Sequence, residues 1–176
     1  PKSLCRAYVT RLEALGVPLM TDLQVVGAKT RNGRLERLQT SNGPVEGTEF
    51  LIAAGAESGE VAGYLGVKLP VQAGKGYSIT IDRATSPVKR PMYLGEARVG
   101  CSPFNGVIRF AGTMELSGVN TVLNRGRIQG IRRGIARYLT LPVGESEGSE
   151  WVGMRPITPD GLPLLGRVPR FANVYV

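Results

Sequence analysis

Residues 151–167 read WVGMRPITPDGLPLLGR. Pro156, Pro159 and Pro163 are set among Gly153, Gly161 and Gly166, with one arginine, Arg155, near the start. Proline fixes φ and removes a backbone donor, whereas glycine opens backbone angles closed to other residues. A long helix and a regular central strand are both excluded on these grounds. The stretch is expected to be a shaped loop that places one guanidinium.

Just upstream, residues 124–140 read NRGRIQGIRRGIARYLT. Ile128, Ile131, Ile135 and Tyr138 recur at three- and four-residue steps, the period of an amphipathic helix. Arg125, Arg127, Arg132, Arg133 and Arg137 then fall largely on its solvated side. The net charge of +8 drops to +3 without these five, which is unexceptional. A basic module using the helix over 121–140 on nucleic acid is the alternative that this charge raises, but apart from Tyr138 no aromatic is interleaved for stacking on bases.

Further out, residues 3–15 are expected to form a helix with Ser3 as cap, Leu4, Tyr8, Leu12 and Leu15 on one face, and Gly16 as its end. Asn32-Gly33 and Asn42-Gly43 are turn dipeptides between β-prone runs, so residues 24–54 read as a meander. FLIAAG, residues 50–55, is short and apolar, as a buried strand is. A short helix over 57–65 closes at Gly66. Pro70, Gly74 and Gly76 then break the chain before an alternating run, Tyr77 to Asp82. Strands are expected over 92–101 and 106–113, and a terminal strand from about Ala172. Several strands followed by a lone helix make an α+β body.

Composition narrows the chemistry. The 176 residues are 42% hydrophobic and 20% charged, as in ordinary globular proteins. No apolar run is long enough to span a bilayer, and the opening residues do not have the pattern of a signal peptide. Histidine is absent and the two cysteines, Cys5 and Cys101, stand far apart. A Ser-His-Asp or Cys-His set and a Cys/His zinc site are therefore excluded, and a reducing, cytoplasmic compartment fits. Reactivity must rest on a cofactor, a partner chain, or Arg, Lys, Tyr and carboxylates.

Three stretches, FLIAAGAES (50–58), LGVKLPVQAGKGYS (65–78) and EWVGMRPITPDGLPLLGR (150–167), together resemble the FAD-dependent amine and amino-acid oxidoreductases, on the D-amino-acid dehydrogenase and glycine oxidase branch. The resemblance implies a mixed-sheet substrate domain over 67–150, with residues 1–66 and 151–176 forming part of an FAD-binding α/β domain. It implies that the backbone around Val26 lies against the adenine side of FAD. Ala53, Ala54 and Gly55 would form a turn of close approach, and the loop with Asp160 and Gly161 would run beside the flavin. Arg155 would grip the carboxylate of an amino-acid substrate; as a bland alternative it is a surface arginine in a proline-rich loop. A guanidinium suits the grip because its planar fork meets a carboxylate in two parallel hydrogen bonds. Lys75 and Tyr77 are candidates for lining the site, although Tyr77 reads equally well as a cross-strand packing residue.

The resemblance also implies hydride transfer from the amine-bearing carbon of a small, D-configured amino acid to FAD, which explains why no histidine is needed. The resemblance leaves oxidase and dehydrogenase chemistry both open, with a quinone-linked acceptor or peripheral association with the inner membrane among the options. Two departures stand out. Gly100, in ARVGCSPFNG (97–106), occupies a position where some glycine-oxidase-like members have a tyrosine, which favours the dehydrogenase branch. No G-x-G-x-x-G occurs in the 176 residues, so the seat for the pyrophosphate is not among them. The chain is therefore expected to be an internal fragment of an enzyme. On its own it is expected to purify colourless and inactive, and to self-associate through apolar edges at FLIAAG and NVYV; visible absorbance and light scattering check this, and a yellow monomer would contradict it.

Overall fold

The computed structural model describes residues 2–82, 88–140 and 148–176. The described chain separates into two compact units. One holds the residues up to Leu51 together with Arg167–Tyr175; the other holds Ile52–Gly166 with Val176.

In the first unit, helix α1 (Lys2–Ala14) is followed by strands β1 (Val25–Arg31), β2 (Arg34–Thr40) and β3 (Gly43–Glu46), an antiparallel meander. The β1–β2 turn has φ 49° at Asn32 and 71° at Gly33, the left-handed pair that an Asn-Gly hairpin turn requires. Gly16, at φ 71°, ends α1 as expected, but Ser3 lies inside the helix rather than capping it. The stripe with Leu4, Tyr8 and Leu15 stays on the surface. FLIAAG supplies only the two-residue strand β4 (Phe50–Leu51), which pairs in parallel with β10 (Val174–Tyr175) and leaves Leu51 exposed.

Asn173 ties this unit together. Its side-chain oxygen accepts from the Leu35 N–H at 2.9 Å, and its amide donates to the Leu35 carbonyl at 2.9 Å and the Thr48 carbonyl at 3.0 Å. One buried amide thus satisfies both buried backbone groups of Leu35 and reaches a third at Thr48.

In the second unit, a 3-10 turn (Gly55–Glu57) and helix α2 (Ser58–Gly63) precede a five-stranded antiparallel sheet. Its order is β6 (Met92–Leu94), β7 (Val99–Phe104), β8 (Val107–Glu115), β5 (Gln72–Asp82) and β9 (Ser149–Ile157). The strand expected over 92–101 is thus two strands joined by a turn. Helix α3 (Arg125–Ala136) begins at Asn124, whose side chain accepts from the Arg127 N–H, and covers one face. Ile128, Ile131 and Ile135 pack there with Ile79, Ile108 and Phe110 in a continuous core. Each such side chain contributes about 1.5–3 kcal/mol by leaving water.

The first half of the Pro/Gly-rich stretch is a strand, not a loop. β9 pairs with β5 from Ser149↔Thr80 to Ile157↔Gln72. An edge position reconciles this with its composition, because Pro156 has no N–H to offer a further strand. The same pairing carries residues 151–166 into the sheet unit, and the turn at 55–57 packs on β5 and β9. The two compact units divide near 51 and 166.

The arginines of α3 lie largely on its solvated side, as expected, and Arg132 is the buried exception. Arg132 is 5% exposed and pairs with Glu150 of β9 at 3.0 Å, and Arg125 reaches the same carboxylate at 2.6 Å. Arg127 pairs with Glu115 at 3.5 Å and Arg137 with Glu96 at 3.7 Å. The helix spends its charge on the protein's own acids, and the nucleic-acid reading gains no support.

Removing the amide of Asn173 leaves the two buried Leu35 backbone groups unpaired, at about 1 kcal/mol each, while the Thr48 carbonyl keeps Arg34. Asn173→Ala is expected to lower the stability of the first unit by about 2 kcal/mol, roughly thirtyfold in opening, read as faster amide exchange in β2. Unchanged exchange there would show that the amide is not the tie.

Candidate active site

Strand alternation gives β5 two chemistries. Lys75, Tyr77, Ile79 and Ile81 face α3, whereas Gly74, Gly76, Ser78 and Thr80 face the other side. That second face is left open. Across it, Ser78 pairs with Trp151 of β9 and Ala111 of β8, and Ala111 pairs with Gly100 of β7. A cavity of about 800 Å³ lies on this face.

Arg155 is brought to this cavity by register. It stands opposite Gly74, and its Nε lies 3.9 Å from where a β-carbon on Gly76 would be. The absence of a side chain at Gly76 leaves room for the Arg155 side chain to lie along the sheet, while the space over Gly74 is taken by Ile157 and Met114. Further along β9, the Trp151 ring folds over Gly153, where a β-carbon would collide with it. The expected guanidinium placement is thus made by a strand, with Gly76 beneath.

The turn at 53–55 lies toward the same end of the sheet. Gly59 of α2 packs within van der Waals reach of the Val71 carbonyl, where β5 begins and β9 ends. Ala53, Ala54 and Gly55 are all exposed, and Gly55 adopts φ 57° with open space above it. A flat ring system can approach such a backbone closely, so these residues fit a flavin. Beyond β9, the Asp160 carboxylate accepts from the Leu162 N–H at 3.0 Å and Gly161 adopts φ 76°. Asp160 therefore holds the loop's shape. In the other unit Val26 sits at an irregularity of β1: Val25 pairs with Thr40 and Gly27 with Gln39, which leaves Val26 between the ladder pairs.

Lys75 and Tyr77 turn the other way. Lys75 is 2% exposed; its Nζ donates to Asn120 Oδ1 at 2.7 Å and the Val122 carbonyl at 3.1 Å, and pairs with Glu115 at 3.0 Å. The Tyr77 hydroxyl donates to Glu115 Oε2 at 2.9 Å, and its ring belongs to the core under α3. Tyr77 borders the cavity through its place between Gly76 and Ser78, and its side chain packs across strands. Hydrogen bonds from Ser117, Lys75 and Tyr77 hold the Glu115 carboxyl down at about 2. Burial works to lower the Lys75 ammonium, but its bonds to Glu115 and Tyr77 prevail and raise it.

Three residues on the open face carry no motif and escape a sequence reading. Ser78 is 3% exposed, borders the cavity, and its hydroxyl has no hydrogen-bond partner. Arg98 and Thr113 also border the cavity and adopt φ 52° and 57°. Thr113 is the extra residue of a bulge between Gly76↔Met114 and Tyr77↔Gly112, and its hydroxyl accepts from Arg127 at 2.7 Å.

The chain belongs to the FAD dependent oxidoreductase family, whose model matches residues 1–176. It is 30% identical over 171 residues to a D-amino acid dehydrogenase of Vibrio atlanticus (strain LGP32), covering 94% of this chain and 40% of that protein. The fold is similar to glycine oxidase from Geobacillus kaustophilus (TM-score 0.72, 22% identity, 88% of this chain and 41% of that one). It is also similar to L-proline dehydrogenase from P. horikoshii (TM-score 0.78, 18% identity, 97% and 47%). The chain spans about two fifths of the length of the curated relatives it matches. No helix among the described residues is long and apolar enough to cross a membrane.

Glu115 contributes fully to stability above its ordinary value of 4.5, and that contribution is lost as pH falls toward 2. The stability gap between the wild type and Glu115→Gln, measured by urea unfolding, is expected to be constant from pH 7 to about 5 and to close toward pH 2. A gap independent of pH would mean that the carboxylate is not held by these partners.

Proposed function

We infer that this chain is the substrate-binding part, with a portion of the cofactor-binding part, of an FAD-dependent enzyme that oxidatively deaminates a small amino acid, with D configuration favoured. The observation that carries this reading is Arg155, laid along Gly76 on an open sheet face and without an ion-pair partner among the described residues. Arg155 holds the substrate carboxylate in a bidentate grip, and Trp151 walls the cavity against water. The exposed turn at Ala53–Gly55 and the loop at Asp160–Gly161 meet the flavin, and the bulged backbone at Val26 meets the adenine.

FAD, when bound, accepts the hydride from the amine-bearing carbon; water then releases the 2-oxo acid and ammonia. The chain's own residues orient the substrate, and an error of an ångström in that orientation costs rate steeply. Lys75, Tyr77 and Glu115 act from behind the sheet by holding β5 and β8 in register, rather than on the substrate. Gly100 leaves the open face without a tyrosine there, which favours transfer of electrons to an acceptor other than oxygen, quinone-linked or otherwise. A cytoplasmic setting, or peripheral attachment to the inner membrane, suits such an acceptor.

The test uses the intact flavoprotein that contains this chain, mixed under nitrogen with a panel of D- and L-amino acids while flavin absorbance is followed. D-Amino acids are expected to bleach the flavin, and bleaching by none, or only by amines lacking a carboxylate, would overturn the reading. Arg155→Ala is expected to lower kcat/KM about tenfold or more, on the order of 1.5–3 kcal/mol for a lost charged contact.

A further inference from the structure

Four arginines, Arg98, Arg109, Arg127 and Arg155, line the open-face cavity, and among the described residues no aspartate or glutamate does. Two of the four are already engaged. Arg127 pairs with Glu115 and donates to Thr113, while Arg109 stacks 5.2 Å over the Phe104 ring and reaches the Thr80 hydroxyl. Arg98 and Arg155 have no ion-pair partner among the described residues. A single carboxylate answers one of them and leaves the other uncompensated on the same cavity.

The backbone at Arg98 is a second, independent observation. At φ 52° it occupies a conformation that glycine or asparagine takes with less strain. Thr113, a β-branched residue for which a left-handed backbone is a real outlier, stands beside it at φ 57°. The Arg98 carbonyl would lie 3.2 Å from a β-carbon on Gly112, the residue before Thr113. Two residues with left-handed backbones therefore adjoin, Arg98 at the end of the β6–β7 turn and Thr113 in the β8 bulge, both at the cavity. Strain of this kind persists where the surrounding structure fixes it, often at a ligand clamp.

Ser78 supplies the third. Its buried hydroxyl borders the cavity without a hydrogen-bond partner, which makes it a donor ready for a polar ligand atom. From β9 to β7 the sheet crosses three strand spacings, about 14 Å between backbones. Each arginine side chain is long enough to take up several ångströms of that span, which leaves a gap of the order of a four- or five-carbon diacid.

We propose that the cavity takes a dicarboxylic amino acid, with Arg155 holding the α-carboxylate, Arg98 the distal carboxylate, and Ser78 a hydrogen bond between them. The assignment of the α-carboxylate rests on the function proposed above; the second anchor rests on Arg98, its backbone and the cavity's charge.

The experiment has two arms on the intact flavoprotein. In the first, D-aspartate, D-glutamate and D-alanine are compared as reductants of the flavin in the wild type, Arg98→Gly and Arg98→Lys. Glycine suits φ 52° and removes the guanidinium without adding strain. One of the diacids is expected to exceed D-alanine in kcat/KM by about tenfold or more. Arg98→Gly should remove that advantage through KM, leave D-alanine within about twofold, and be partly rescued by Arg98→Lys. D-Alanine preferred over both diacids, or a loss shared equally by all three, would overturn the proposal. In the second arm, succinate and propionate, neither of which carries an amine, are titrated by calorimetry. Succinate should bind about tenfold tighter in the wild type but not in Arg98→Gly. If no amino acid bleaches the flavin yet this difference appears, the deaminase reading falls and the two-anion site stands; equal affinities would remove the site.

Discussion

The antiparallel pairing of β9 with β5 is the constraint from which the site follows. Nine residues of β9 run along β5, and that register sets Arg155 opposite Gly74, Gly153 opposite Gly76 and Trp151 opposite Ser78. A slip of one residue would send Arg155 to the helix side, into a core of isoleucines where an unpaired guanidinium is not tolerated. The burial of Tyr77, Ile79 and Ile81 under α3 thus fixes which side chains are left to face the cavity. Glu150, on the helix side of β9, reinforces the register by taking both Arg125 and Arg132.

Electrostatics separates the two faces as sharply as hydrophobicity does. Around Glu115 the cations meet an acid: Lys75 and Arg127 share it, and the Tyr77 hydroxyl completes that carboxylate's partners. Among the described residues, the cavity on the open face is lined by four arginines and by no acid. An excess of +8 over the chain says little by itself. Its distribution says more, because most of the helix arginines are neutralised locally while Arg98 and Arg155 are not.

Much of the architecture was legible because it is written in periodicity and turn chemistry. The isoleucines of α3 recur at helical steps, and Asn32-Gly33 forces a left-handed turn, so the helix and the meander could be read directly. The edge strand β9 was hidden because Pro156 and Gly153 are strand breakers in a central position and harmless at an edge. Arg155 stood out by its setting and the small-residue turn by its composition. Lys75 and Tyr77 share a stretch with residues of the open face, and only the position of α3 shows that they point away from it. Arg98, Thr113, Ser78 and Asn173 carried no motif; a backbone angle or an unpaired hydroxyl is a property of the folded chain.

The central claim is that Arg155 on the open face meets the carboxylate of an amino acid lying beside the flavin. A crystal structure of the intact flavoprotein with 2-aminoisobutyrate, which has no hydrogen on its α-carbon and cannot be oxidised by hydride loss, tests it most directly. The account predicts both carboxylate oxygens within hydrogen-bond distance of the Arg155 guanidinium, with the α-carbon between the sheet and the flavin ring. A ligand bound elsewhere, or an Arg155 side chain turned to solvent with the ligand in place, would contradict it.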